Sequence, residues 1–242
     1  MTRRASIGFD RRIDLDWLDA AAAQAAAGAP PEAMRTHLSN LLNDVLKGDT
    51  ARGKTVTVLS HIWGAVPEDA AALHGRASAE LCRCTPEERL ALHWAMMLGT
   101  YPIFSDVTAA AGRLLMLQGQ FTLAHLTRRL VDAWGERSTL ERAVQRIVRS
   151  MIQWEALRDT ATRGMYEKAT VHRKVGPAVS KVLIEALLLD AEETSIPFAQ
   201  LVGHPALFPF DLDLSAGQIR DAPHFRVHRQ GLDSDVVEVG PK

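Results

Sequence analysis

The sequence predicts a mostly α fold in three parts. An N-terminal helical region covers residues 1–103, a winged helix-turn-helix covers 104–172, and a C-terminal helix with a short β-containing tail covers 173–242. Three observations carry this expectation. Alanine and leucine are abundant while aromatic residues make up only 6%, a balance that favours helix. Apolar residues recur at intervals of three and four through most of the chain as far as Leu189. In the middle of the chain, three such segments lead into a strand–loop–strand pattern.

The N-terminal part reads as a succession of helices. Residues 1–28 hold Ile13, Leu15, Trp17 and Leu18 before an alanine run, and Gly28-Ala29-Pro30-Pro31 is a strong stop. Residues 32–47 place Met34, Leu38, Leu41, Leu42 and Val45 at helical spacing, ending at Gly48. Residues 54–63 and 67–84 read as two further helices. Thr85-Pro86-Glu87-Glu88 is a helix start: a Thr cap, Pro at the first position and acids in the first turn. The helix it opens carries Leu90, Leu92, Trp94, Met96, Met97 and Leu98 up to Gly99.

The middle part predicts helices over 106–117, 122–134 and 139–154. Thr122 caps the second, and Gly135 ends it. Ser138-x-x-Glu141 reads as a capping box for the third. One face of that third helix is Leu140, Ala143, Val144, Ile147, Val148, Met151 and Ile152; the other is Glu141, Arg142, Gln145, Arg146, Arg149 and Gln153. Residues 156–168 then form two strands around a turn, Ala161-Thr162-Arg163-Gly164. In a winged helix the third helix enters the major groove of DNA.

The exposed face suits that task. Arginine presents a planar fork that matches a phosphate or the O6/N7 edge of guanine, and glutamine can pair with adenine. Candidate DNA-binding residues are therefore Arg142, Gln145, Arg146, Arg149, Gln153 and, at the wing, Arg163. The whole chain has a formal net charge of −1, so it is no polycation. From Arg113 to Lys174, however, ten arginines and two lysines face two aspartates and four glutamates, a local excess of six positive charges. The competing reading takes the same helix as a protein-interaction scaffold, because arginine also decorates solvated faces.

Three stretches carry a wider likeness: Arg52-Gly53-Lys54-Thr55, Tyr101-Pro102-Ile103-Phe104-Ser105-Asp106 and Trp134-Gly135-Glu136-Arg137-Ser138-Thr139. With them, residues 35–160 resemble the BrxA-like proteins, small helical DNA-binding components of the BREX anti-phage systems. The resemblance implies double-stranded DNA as partner, an accessory place in a larger phage-defence assembly with protein partners, and no catalytic residues. It does not extend to the tail.

Other motifs point elsewhere and fare less well. Gly48 to Thr55 fits G-x-x-x-x-G-K-T, the loop that cradles phosphates. That loop needs a buried strand before it, whereas residues 38–47 read as an amphipathic helix; residues 48–55 are expected to be a helix–helix connection, and a P-loop nucleotide binder is the remote alternative. Cys82, Cys84, His74 and His93 could be drawn as a metal site, but C-x-C lacks the usual spacing. His125 reads as a surface residue. His204-Pro205 and Phe208-Pro209-Phe210 read as a strap packed across the fold, and Phe225–His228 with Val236–Val239 as strands around Gly231. No cofactor or metal is expected. The basic start Met1-Thr2-Arg3-Arg4 precedes no apolar run, and no stretch suits a membrane span, so a cytoplasmic protein with reduced thiols is expected.

Overall fold

A computed structural model of the chain describes residues 7–230 and 234–240; the basic start at residues 1–4 and the turn at Gly231 lie outside the described residues. The described chain is mostly helical, with eleven α-helices and three small sheets. The N-terminal part holds α1 (Leu15–Ala26), α2 (Pro31–Leu41), α3 (Asp49–Trp63), α4 (Ala71–Leu81) and α5 (Arg89–Thr100). The middle part runs α6 (Pro102–Gln118), β1 (Gln120–Thr122), α7 (Leu123–Trp134), α8 (Ser138–Gln153), β2 (Leu157–Asp159) and β3 (Met165–Lys168). The C-terminal part holds β4 (Arg173–Val175), α9 (Pro177–Asp190), β5 (Ile196–Pro197), α10 (Phe198–Val202), β6 (Phe210–Leu212), α11 (Ala216–Arg220), β7 (Phe225–Gln230) and β8 (Ser234–Val239). No helix among the described residues is long and apolar enough to cross a membrane.

The centre is the packed pair α5 and α9. Both are predominantly apolar and enclosed along most of their length: every residue from Leu90 to Thr100 is buried, and so is Val182 through Leu188. Thr85 stands at the expected cap ahead of α5 and, with Glu88, forms a capping box there; the second Glu88 oxygen accepts from Gly176 N (2.7 Å), tying the start of α5 to the start of α9. The C-terminal part thus returns to the N-terminal helices. One ion pair reinforces that return. Arg76 on α4 donates through Nε to Glu185 Oε2 on α9 (2.6 Å) and through its terminal nitrogen to the other oxygen, and Glu185 is buried.

Four fully buried tryptophans join distant segments. Trp94 Nε1 donates to Ala206 O (2.9 Å), Trp154 Nε1 to Ile13 O (3.0 Å), Trp134 Nε1 to Asp106 Oδ2 (2.8 Å) and Trp63 Nε1 to His93 Nδ1 (3.1 Å). An indole N–H left unpaired in a core costs about 1–3 kcal/mol, so each bond specifies a partner as well as a place. Trp94 also meets Phe104, Trp154, Phe208 and Phe210 edge-on. The strap His204–Phe210 therefore crosses α6 as expected, and it does so at Gly112, where a Cβ would lie 2.0 Å from Pro205 O.

Several local expectations need correction. Residues 7–14 are not helical: Ile7, Phe9 and Ile13 are buried in an extended strap ahead of α1. Alternation of apolar side chains over so short a stretch was masked by the alanine run that follows. Residues 49–55 are the first turns of α3, not a connection; Asp49 stands favourably at the helix's positive end, and Arg52 holds both Asp49 Oδ1 (2.5 Å) and Asn43 Oδ1 (2.8 Å). Before them lies helix α2 and a turn, so the strand that a phosphate-cradling loop needs is not there. The predicted Ser138 capping box does not form. α8 begins one residue early, with Arg137 at the N-cap and its Nε donating to Trp134 O (2.8 Å). Strands β1, β4 and β6 are too short to leave a pattern. β4 pairs parallel with β6, and β8 sits between β5 and β7 in an antiparallel sheet.

Two outcomes follow. Gly112→Ala forces its methyl group into a backbone carbonyl and should lower stability by about 1–3 kcal/mol, read as a fall in urea midpoint at unchanged slope. The second concerns acid. His93 accepts from Trp63, so its proton sits on Nε2, which donates to Asp19 Oδ1 (3.1 Å). Burial outweighs the attraction of Asp19 and holds the imidazole below its ordinary value near 6.5, while the hydrogen bond from His93 holds Asp19 below the usual carboxylate range. His204 and His224 are lowered by burial in the same direction. The unfolded chain thus takes up these protons first, and stability present above the ordinary imidazole value is lost as pH falls through and below it. Urea unfolding between about pH 7.5 and about pH 5.5 should show this loss, and His93→Gln should shrink it.

Candidate nucleic-acid interface

The middle part is built by α8, which is amphipathic by spacing alone. Leu140, Ala143, Val144, Ile147, Val148 and Met151 are buried against Leu126 and Leu130 of α7, while Glu141, Arg142, Gln145, Arg146, Arg149 and Gln153 are exposed. β3 lies between β1 and β2 in a three-stranded antiparallel sheet, with Phe121 opposite Tyr166. Residues 160–164 turn between β2 and β3. Gly164 has φ 81°, a conformation that other residues adopt with difficulty, and Arg163 beside it is exposed.

Each candidate residue has a distinct setting. Arg142 and Arg146 stand one turn apart and line a cleft toward the N-terminal part, and no ion pair among the described residues engages either. Arg142 also reaches the other side, a groove of about 690 Å³ between α7 and α8 that Gln145 and Arg128 share. Arg149 leans toward the sheet: its guanidinium lies 3.6 Å from Asp159 Oδ2 and 5.9 Å from the centre of the Tyr166 ring. Both members of that ion pair are half exposed, so the pair is weak and can open for another anion. Gln153 differs. Its Oε1 accepts from Leu15 N (2.8 Å), which commits the side chain to holding the start of α1 and leaves only its amide N–H₂ for another partner.

Helix α8 is anchored from behind. Ser150, on the buried side of α8, accepts from Ile13 N (2.8 Å), and Arg173 donates to Trp154 O (2.9 Å) and Glu155 O (3.0 Å) at the helix's C-terminal end. The chain turns sharply there, with Glu155 at φ 55°. Sequence reasoning did not single out Ser150 or Arg173, because their partners Ile13, Trp154 and Glu155 are not their neighbours in the chain. The four residues that could be drawn as a metal site are each placed otherwise. His93 is bonded to Trp63 and Asp19, His74 Nε2 faces Trp63 O (3.0 Å), Cys82 is exposed and Cys84 half-buried, and no group of three or more metal-ligating side chains occurs among the described residues. His125 is exposed in the first turn of α7.

No protein-family model, curated protein or solved structure matches the chain.

The two kinds of arginine should separate in a stability assay. Arg173→Ala removes charge-assisted bonds to two carbonyls, and the expected loss is about 1.5–3 kcal/mol. Arg163→Ala, at an exposed turn, should change stability by less than about 0.5 kcal/mol. Equal effects in urea unfolding would contradict the assignment of these roles.

Proposed function

We propose that residues 104–172 form a winged helix-turn-helix and that the protein is a non-catalytic DNA-binding component of a larger assembly. The order α6–β1–α7–α8–β2–β3, with β3 central in the sheet, supports the first part: it is the order in which a winged helix lays out three helices and a hairpin. The observation that carries the second is the exposed face of α8. Arg142, Gln145, Arg146 and Arg149 share it, the opposite face is buried, and Arg163 extends the basic surface at the hairpin turn. Phosphate contacts from such side chains position a helix, and contacts to base edges add sequence preference. The likeness to BrxA-like proteins supports an accessory role in phage defence, and double-stranded DNA as the ligand.

One observation favours a protein partner as well. Met116 and Leu117, at the end of α6, are 72% and 79% exposed, an unusual placement for adjacent large apolar side chains. Docking there suits a component that binds DNA through one face and a neighbour through another.

The test replaces Arg142, Arg146 and Arg149 together by alanine. A bidentate base contact is worth about 1–3 kcal/mol and each phosphate contact adds roughly one unit to the salt slope. Affinity for duplex DNA, measured by fluorescence anisotropy across a salt series, should therefore fall at least about tenfold, with a flatter salt dependence. The melting temperature should hardly move, since alanine favours helix and the three side chains are exposed. Equal binding by the triple variant, or no binding by the wild type even at low salt, sinks the proposal.

A further inference from the structure

A cleft of about 820 Å³ separates the arginine face of α8 from the N-terminal part. Three stretches of chain form it: the strap ahead of α1, the body of α3, and the turn into α8 with the exposed side of α8 that follows. Five cationic side chains line it, Arg11, Lys54, Arg137, Arg142 and Arg146, against a single carboxylate, Asp10. Asp10 is shared, 3.3 Å from Lys54 Nζ and 3.9 Å from Arg11 Nε. The Nε of Arg11 is buried and has no hydrogen-bond partner. Gathering like charges in a cleft is unfavourable in the empty protein, and low-dielectric walls focus their field on whatever enters. An orphaned guanidinium donor adds a second cost that an acceptor would relieve.

We propose that this cleft seats the sugar–phosphate backbone of one strand of the duplex that α8 contacts. The inference rests on the DNA-binding reading of α8 and extends it to the N-terminal part, which supplies Arg11 and Lys54. Arg142 lines both this cleft and the groove between α7 and α8, so a polyanion lying along α8 is already at the cleft mouth. The cations come from three separate stretches of chain instead of converging from one loop, which suits a strand carrying successive charges better than one small anion. Lys54 belongs to the G-x-x-x-x-G-K-T sequence, and here it acts from the exposed side of a helix, as a phosphate contact without a phosphate loop.

The experiment measures binding of a fluorescently labelled duplex of about 20 base pairs over a salt series, for wild type, Lys54→Gln, Arg11→Gln and both together, with exposed Lys47→Gln as control. Each cleft variant should weaken binding about three- to tenfold at low salt and lower the salt slope by about one, the double by about two, and Lys47→Gln should match wild type. Lys54 and Asp10 are both half exposed, so Lys54→Gln keeps the fold and carries the test if Arg11→Gln melts early. If Lys54→Gln binds with wild-type affinity and slope while the α8 triple variant fails, the cleft proposal is overturned and the α8 reading stands. If the wild type binds no duplex, both fall. A titration with sodium tripolyphosphate separates the remaining source: calorimetric binding lost in Lys54→Gln, with duplex binding untouched by that change, would mark a small-anion site and overturn the strand assignment.

Discussion

The burial of Trp94 is the constraint on which the rest of the structure depends. Its indole is fully enclosed, so its one N–H must find an acceptor inside the core. The acceptor is Ala206 O, contributed by the C-terminal strap. The rings that enclose it, Phe104, Trp154, Phe208 and Phe210, come from α6, the end of α8 and the tail. Trp154 in turn spends its N–H on Ile13 O. Two side chains thereby gather the N-terminal strap, the central helix, the arginine-bearing helix and the tail around one point. The core is continuous, from Ile7 to Val237.

This arrangement decides how freely α8 can present itself. Its apolar face is locked by Leu126 and Leu130, its C-terminal end by Arg173 and Ser150, and its last exposed residue, Gln153, by Leu15 N. A helix held on three sides offers its remaining surface in one orientation, which lowers the ordering cost of binding. The charge distribution follows from the same packing. With the apolar residues consumed by the core, the arginines of residues 113–174 have only the outer surface to occupy, and some find partners there: Arg158 pairs with Glu167 and Arg149 with Asp159. Arg142 and Arg146, which no ion pair among the described residues engages, lie beside the basic cleft.

The helices were legible in the sequence because a helix is a local object. Periodicity marked α5 to α9, Thr122 and Thr85 announced their caps, and Leu126, Leu130, Val144, Ile147 and Val148 emerged on one buried face as their spacing requires. The two strands near the C-terminus were legible through their alternation, and β2 and β3 through the turn between them. The three-residue strands β1, β4 and β6 were not, since a partner across the sheet defines them and no local preference does. The same limit hid the start of α8. Ser138 and Glu141 satisfy the capping pattern, yet the hydrogen bond from Arg137 to Trp134 O moves the helix start by one residue.

Sequence alone determined the helical class, the amphipathic division of α8 and the sign of the charge on its outer face, because all three depend on residues within a few turns of one another. Tertiary structure decided what those charges face. Arg142 and Arg146 border a cleft only because the strap carrying Arg11 and the helix carrying Lys54 pack beside them, more than eighty positions away in the chain. Likewise Gln153 is spoken for by Leu15 and Arg149 by Asp159. Such pairings are set by where a continuous core brings distant segments together, and no pattern of neighbouring residues encodes them.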